Sequence, residues 1–163
     1  MRDLSPARGT WVIALSYLAA LILTVWPMPR WCEPFRPAWV ALATIYWCLW
    51  LPQRVGVITA FTAGLLLDAL AGTLLGEHAL ALVVVAWMAL WMHLQVRVFP
   101  WWQQSFMVLC ILLVYSFLLF WVDGMLGYTT GAALRWTPTL ISALLWPWVV
   151  QVLAQVQRRY QVS

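Results

Sequence analysis

Six apolar runs, near residues 10–26, 37–51, 55–76, 79–94, 105–122 and 137–156, fill most of a 163-residue chain and leave short connections between them. No other feature restricts the fold as much. A helix needs about 20 mostly apolar residues to cross a bilayer. Strands of a membrane barrel would alternate apolar and polar residues, and these runs are continuously apolar. Backbone groups in hydrocarbon must bond within their own segment, so each run is expected to be a helix. Composition agrees, because 9% of the residues are charged, against about a quarter in soluble domains. The expected fold is all-α: a single integral-membrane bundle of about six transmembrane helices over residues 1–163. No length remains for a soluble catalytic or nucleotide-binding module, which excludes an ATPase, a kinase or a DNA-binding domain.

The first run follows a short basic segment, as a signal peptide would. It ends in Trp26-Pro27-Met28-Pro29-Arg30 without a small-residue cleavage site, so a retained span is expected. All nine positive charges are arginines. With six spans, one side of the membrane holds Arg2, Arg8, Arg54, Arg97, Arg158 and Arg159 against Asp3. The other holds Arg30, Arg36 and Arg135 against Glu33, Glu77 and Asp123. Positive residues favour the cytoplasmic side, so both termini are expected there. A five-span arrangement with the third run re-entrant would separate the termini and spoil this sorting. The formal +4 is topological; no basic cluster exceeds the pair Arg158-Arg159, and no nucleic-acid partner is expected. Cys32, Cys48 and Cys110 are dispersed, read as small hydrophobes, and imply no metal or cofactor.

Of 14 tryptophans, Trp11, Trp26, Trp31, Trp101, Trp102, Trp121 and Trp136 fall at run ends, where amphipathic rings favour the headgroup region. Trp47, Trp87, Trp91, Trp146 and Trp148 lie deeper and need acceptors for their indole N–H groups. Trp87 and Trp91 share a helix face, either as a lipid-facing or packing stripe or as a pocket lining. Pro147 is expected to kink the last helix.

The third run carries the sharpest signal. Ala60, Gly64, Asp68, Gly72 and Gly76 are four apart, which on a continuous helix makes one slowly turning stripe of small residues that admits a second backbone. Asp68 interrupts it with a carboxyl that lipid tolerates only when paired, hydrated or protonated. An arginine, backbone donors freed near Gly72, or the hydroxyls of Thr62 and Thr73 are candidate partners. Three readings stay open for Asp68: holding adjacent helices together, binding or handling a proton, or meeting another protein's helix. On a continuous helix Glu77 is about 13 Å from Asp68, and His93 is at the opposite membrane face, so Glu77, His78 and His93 are expected to be ordinary interfacial residues. The chain has no H-E-x-x-H, G-x-S-x-G, P-loop or dinucleotide motif, and no enzymatic activity is expected.

Five segments in register resemble one family. They are Phe35-Arg36-Pro37-Ala38-Trp39-Val40, Leu51-Pro52-Gln53-Arg54-Val55, the glycine stripe from Gly64 to Gly76, Trp102-Gln103-Gln104, and Leu145-Trp146-Pro147-Trp148. Their order and spacing resemble the rod shape-determining protein MreD family of Gram-negative rods over essentially the whole chain. The resemblance implies an inner-membrane protein of the elongasome, supporting lateral peptidoglycan synthesis and rod shape. It implies direct binding of MreC, with MreB, RodZ, RodA and its penicillin-binding transpeptidase in the wider complex. It also implies a bundle similar to the S component of energy-coupling-factor transporters. On this reading some of Gly64, Asp68, Gly72 and Gly76 organise the bundle or a pocket that MreC's span or N-terminal segment uses, while Arg36 and Arg135 are outer-side anchors for MreC or lipid headgroups. The competing reading is a small-molecule or lipid-binding transporter-like component. That alternative requires a closed cavity near the midplane with converging polar groups.

Overall fold

Proline and glycine decide where the helices stop. A computed structural model of the chain describes residues 9–29, 31–127 and 136–160. Arg2, Asp3, Arg8, Arg30 and Arg135 lie outside the described residues, so the charge sorting and the anchor role expected of them rest on sequence. Helix α1 covers Thr10–Val25 and ends just before Trp26-Pro27; a 3-10 turn follows at Glu33–Phe35. Helix α2, Trp39–Trp50, lies between Pro37 and Pro52, and α3 is Val57–Ala71. Helices α4, α5 and α6 are Glu77–Val96, Trp101–Leu126 and Thr137–Arg159. Proline disfavours helical backbone in the residue before it and removes a donor, which accounts for both ends of α2. Pro100 immediately precedes α5, and Pro138 occupies the first turn of α6, where no N–H is needed. Helix α6 continues through Pro147. The described residues contain no strand.

Helix α2 is the axis of the molecule. All ten residues Val40–Leu49 are buried, and the helix touches α1, α3, α4 and α6. A helix that is apolar all round belongs inside. Around it α3 packs on α4, α4 on α5 and α5 on α6. Side-chain hydrogen bonds tie the shell to the axis. The Trp47 indole donates to Ser16 Oγ at 2.7 Å and the Tyr17 hydroxyl to Thr44 Oγ1 at 3.2 Å, joining α1 to α2. At one end Ser142 Oγ accepts from the Ala38 N–H at 2.8 Å, and at the other Tyr46 donates to Gln157 at 2.8 Å. The terminal carbonyls of α2, on Leu49 and Trp50, accept from Arg97, so a cation sits where the helix dipole favours it.

Helices α4, α5 and α6, with 20, 26 and 23 residues, are long and apolar enough to cross a membrane. Helices α1, α2 and α3 have 16, 12 and 15 residues, and at about 1.5 Å per residue they rise roughly 18–24 Å. The described residues are therefore all-helical with six helices, three of which meet the length for a span unaided.

The helices alternate in direction, so the two ends of the bundle differ in charge. One end gathers Arg36 with Asp68, Glu77 and Asp123; the other gathers Arg54, Arg97, Arg158 and Arg159 with no carboxylate among the described residues. Contacts across each end fix this alternation: Ser116 on α5 meets Thr139 on α6 at the first, and Trp11 on α1 meets Tyr160 after α6 at the second, ring centroids 5.0 Å apart.

The third run departs from expectation. It is not one helix to Gly76, because α3 stops at Ala71 and Gly72 takes left-handed backbone, φ +68°. Gly76, φ +106°, then starts α4. Without a Cβ these two residues adopt such angles at no steric cost, so the pair encloses a tight turn that reverses the chain.

Candidate functional site

The α3–α4 turn is built around Asp68, whose side chain is fully buried. Its main-chain carbonyl closes the end of α3, accepting from Gly72 N–H and, at 3.2 Å, from Thr73 N–H. Its carboxylate faces the start of α4. Oδ1 accepts from the Thr73 hydroxyl at 3.0 Å and from the His78 N–H at 3.0 Å, and His78 Nδ1 stands 2.8 Å away. Oδ2 accepts from the Gly76 N–H at 2.8 Å and the Ala79 N–H at 3.4 Å. The first N–H groups of a helix have no partner within it and carry the positive end of its dipole. Gly76, at the N-cap, has no side chain to satisfy them. Asp68 performs that task from the preceding helix, which is a strong use of a carboxylate because N–H donors at a helix start favour its charge.

One turn earlier on α3, Gly64 makes the close approach possible. A Cβ there would lie 2.3 Å from Ala79 Cα and 2.7 Å from Ala79 N, so the first turn of α4 rests directly on the glycine. Ala60, a turn further on, is also fully buried. The expected stripe is thus real for Ala60, Gly64 and Asp68. It is broken beyond them: Gly72 and Gly76 are reversal residues, and a Cβ on either would meet nothing within 4 Å.

Of the partners considered for Asp68, Thr73 and the backbone donors beyond Gly72 bind it. Thr62 bonds instead to carbonyls of its own helix, those of Ile58 and Thr59. Among the described residues no arginine reaches Asp68, and the side chain that meets its carboxylate across the turn is His78. The separation of Asp68 from residues 77 and 78 expected on a continuous helix is therefore overturned, since reversal at Gly72 brings His78 into contact. The His78 ring lies 6.3 Å from that of Tyr115 on α5, and Glu77 is buried beside it. A signal for this was present. Glycines four apart, enclosing Thr73-Leu74-Leu75 and followed by an acidic residue, have the form of a helix stop and a helix start. At the tip of the turn Leu74 and Leu75 are 55% and 72% exposed.

The remaining expected site residues lie elsewhere. Arg36 donates to the carbonyls of Thr24 and, at 2.8 Å, Trp26, closing the end of α1. Arg135 is outside the described residues. His93 bonds to the Leu90 carbonyl within α4. Trp87 and Trp91 are 60% and 76% exposed, so they form an outward stripe. A separate groove of about 370 Å³ runs between α1 and α6 with α2 as its floor. Its lining is mostly apolar; the polar atoms are the Ser16 hydroxyl, already bonded to Trp47 and to the Ile13 carbonyl, the Tyr160 hydroxyl and the indole N–H groups of Trp11, Trp39 and Trp148.

Comparison with known proteins gives a consistent result. The family model described as rod shape-determining protein MreD matches residues 6–156. The rod shape-determining protein MreD of Haemophilus influenzae is 31% identical over 156 residues, covering 93% of this chain and 94% of that protein. No solved structure matches.

Proposed function

Because the chain belongs to the MreD family of rod shape-determining proteins, we propose that this membrane protein is a non-catalytic scaffold that binds MreC and supports lateral peptidoglycan synthesis. The wider complex is MreB, RodZ, RodA and its penicillin-binding transpeptidase. The protein resides in the bacterial inner membrane with both termini in the cytoplasm. Support for that orientation is the segregation of Arg54, Arg97, Arg158 and Arg159 at the end opposite Asp68, Glu77 and Asp123.

The observation that carries the scaffold reading is the state of Asp68. A carboxyl that carried protons or substrate would face a cavity. This one is fully buried and accepts donors from the turn and the first turn of α4, fixing a rigid reversal that presents Leu74 and Leu75 outward. Two leucines held on a fixed turn are a compact apolar contact for another protein. The groove between α1 and α6 also argues against a transporter-like component, because it is open at the side, mostly apolar and without a charged side chain in its lining.

Leu75→Glu is the test. The side chain is exposed, so folding is expected to be unchanged, while MreC recovered on co-purification falls at least about tenfold, the size of a hot-spot loss. Cells relying on the variant should round up. Full MreC recovery with normal rods would remove this turn from the interface.

A further inference from the structure

The scaffold reading leaves the groove between α1 and α6 unused. Its floor is made of small residues, Ala19 and Ala20 on α1 and Ala43 on α2, and Val152 stands on the opposite wall. Ala19 and Val152 are exposed, so the groove opens sideways. From Trp11 to Leu23 it extends along about 18 Å of α1. A helix about 10 Å wide over that length would occupy roughly 1,400 Å³. The groove offers about 370 Å³, room for a narrow hydrocarbon chain and too little to enclose a whole helix.

One end of the groove has a distinct chemistry. Trp11 and Tyr160 line it there, in edge-on contact with each other. Aromatic rings with a polar atom favour the headgroup level of a bilayer. Arg159 follows Val152 by seven residues and Val156 by three, so it continues the wall that those two residues form. Arg158 and Arg159 are exposed, and no carboxylate among the described residues lies at this end of the bundle. An apolar slot that ends at an aromatic pair and two arginines is complementary to a molecule with a long hydrocarbon tail and an anionic head.

We propose that the groove between α1 and α6 binds one anionic phospholipid, its acyl chain along Ala19, Ala20 and Ala43 and its phosphate-bearing head against Arg158 and Arg159. The lipid fills the cleft between two helices that otherwise meet at Trp11 and Tyr160, and so completes the packing of α1. This does not depend on whether MreC binds.

Native mass spectrometry of the purified full chain tests it, with phosphatidylglycerol and phosphatidylcholine supplied at equal concentration. One phosphatidylglycerol per chain is expected to be retained in preference to phosphatidylcholine. Arg159→Gln should lower phosphatidylglycerol retention about fivefold and leave phosphatidylcholine unchanged, as expected for one interfacial arginine. Ala19→Trp, which fills the floor, should lower retention of both lipids at least about tenfold, and Val152→Trp from the opposite wall should do the same. Equal retention of the two lipids by the wild-type chain overturns the proposal. So does unchanged lipid retention in both tryptophan variants accompanied by loss of MreC, which would identify a partner helix as the occupant.

Discussion

Replacing Gly64 with leucine is expected to remove nearly all of the folded protein. The Cβ alone would lie 2.3 Å from Ala79 Cα and 2.7 Å from Ala79 N, and both are main-chain atoms that cannot rotate away. Forcing extra atoms into a packed site costs about 1–3 kcal/mol when side chains can yield, and more when backbone must move. Here the whole N-terminal turn of α4 would have to lift, taking His78 and Ala79 away from Asp68. Gly64→Ala already creates the clash and should lower the thermal midpoint in detergent. The leucine variant should be absent from the monodisperse peak in size-exclusion chromatography. A wild-type elution profile for the leucine variant would mean that α4 is not seated on this glycine. Gly72→Ala is the contrast: its Cβ meets nothing, so only the left-handed backbone matters, at about 1–2 kcal/mol.

Asp68→Ala should have the second large effect. It leaves the Thr73 hydroxyl, the His78 ring and the N–H groups of Gly76, His78 and Ala79 without their acceptor. Losing the acceptor of a charge-assisted network costs about 1.5–3 kcal/mol, and Ala79, a buried residue, keeps a desolvated N–H. Asp68→Asn keeps the shape but turns an amide NH2 toward donors, so an intermediate loss is expected. Amide hydrogen exchange gives a local readout: in both variants the amides of residues 76–79 should exchange faster while those in the centre of α2 stay protected. Uniform acceleration over all helices, or none, would contradict the role assigned to Asp68.

Much of this architecture was legible in the chain, and the exceptions have physical causes. Apolar runs became helices, and Pro37, Pro52 and Pro100 marked their ends through fixed backbone preference. Trp47 found the acceptor that a buried indole needs, in Ser16. The stripe from Gly64 to Gly76 misled because spacing alone cannot separate two uses of glycine. Gly64 permits close approach within a helix, whereas Gly72 and Gly76 supply left-handed backbone that ends one helix and begins another. Once the helix was taken to continue, Asp68 and His78 were placed far apart, and the hydrogen-bonded core of the turn was hidden. The shortness of α2 has a related cause: a helix enclosed by other helices can be apolar without itself matching the thickness of a bilayer.

The proposed contact between MreC and the α3–α4 turn can be measured directly. A photo-activated cross-linking residue placed at Leu75, and in a second strain at Trp91 on the outward face of α4, measures this in living cells. A covalent MreC adduct is expected from position 75 and none from position 91. An adduct from position 91 with none from position 75 would contradict it.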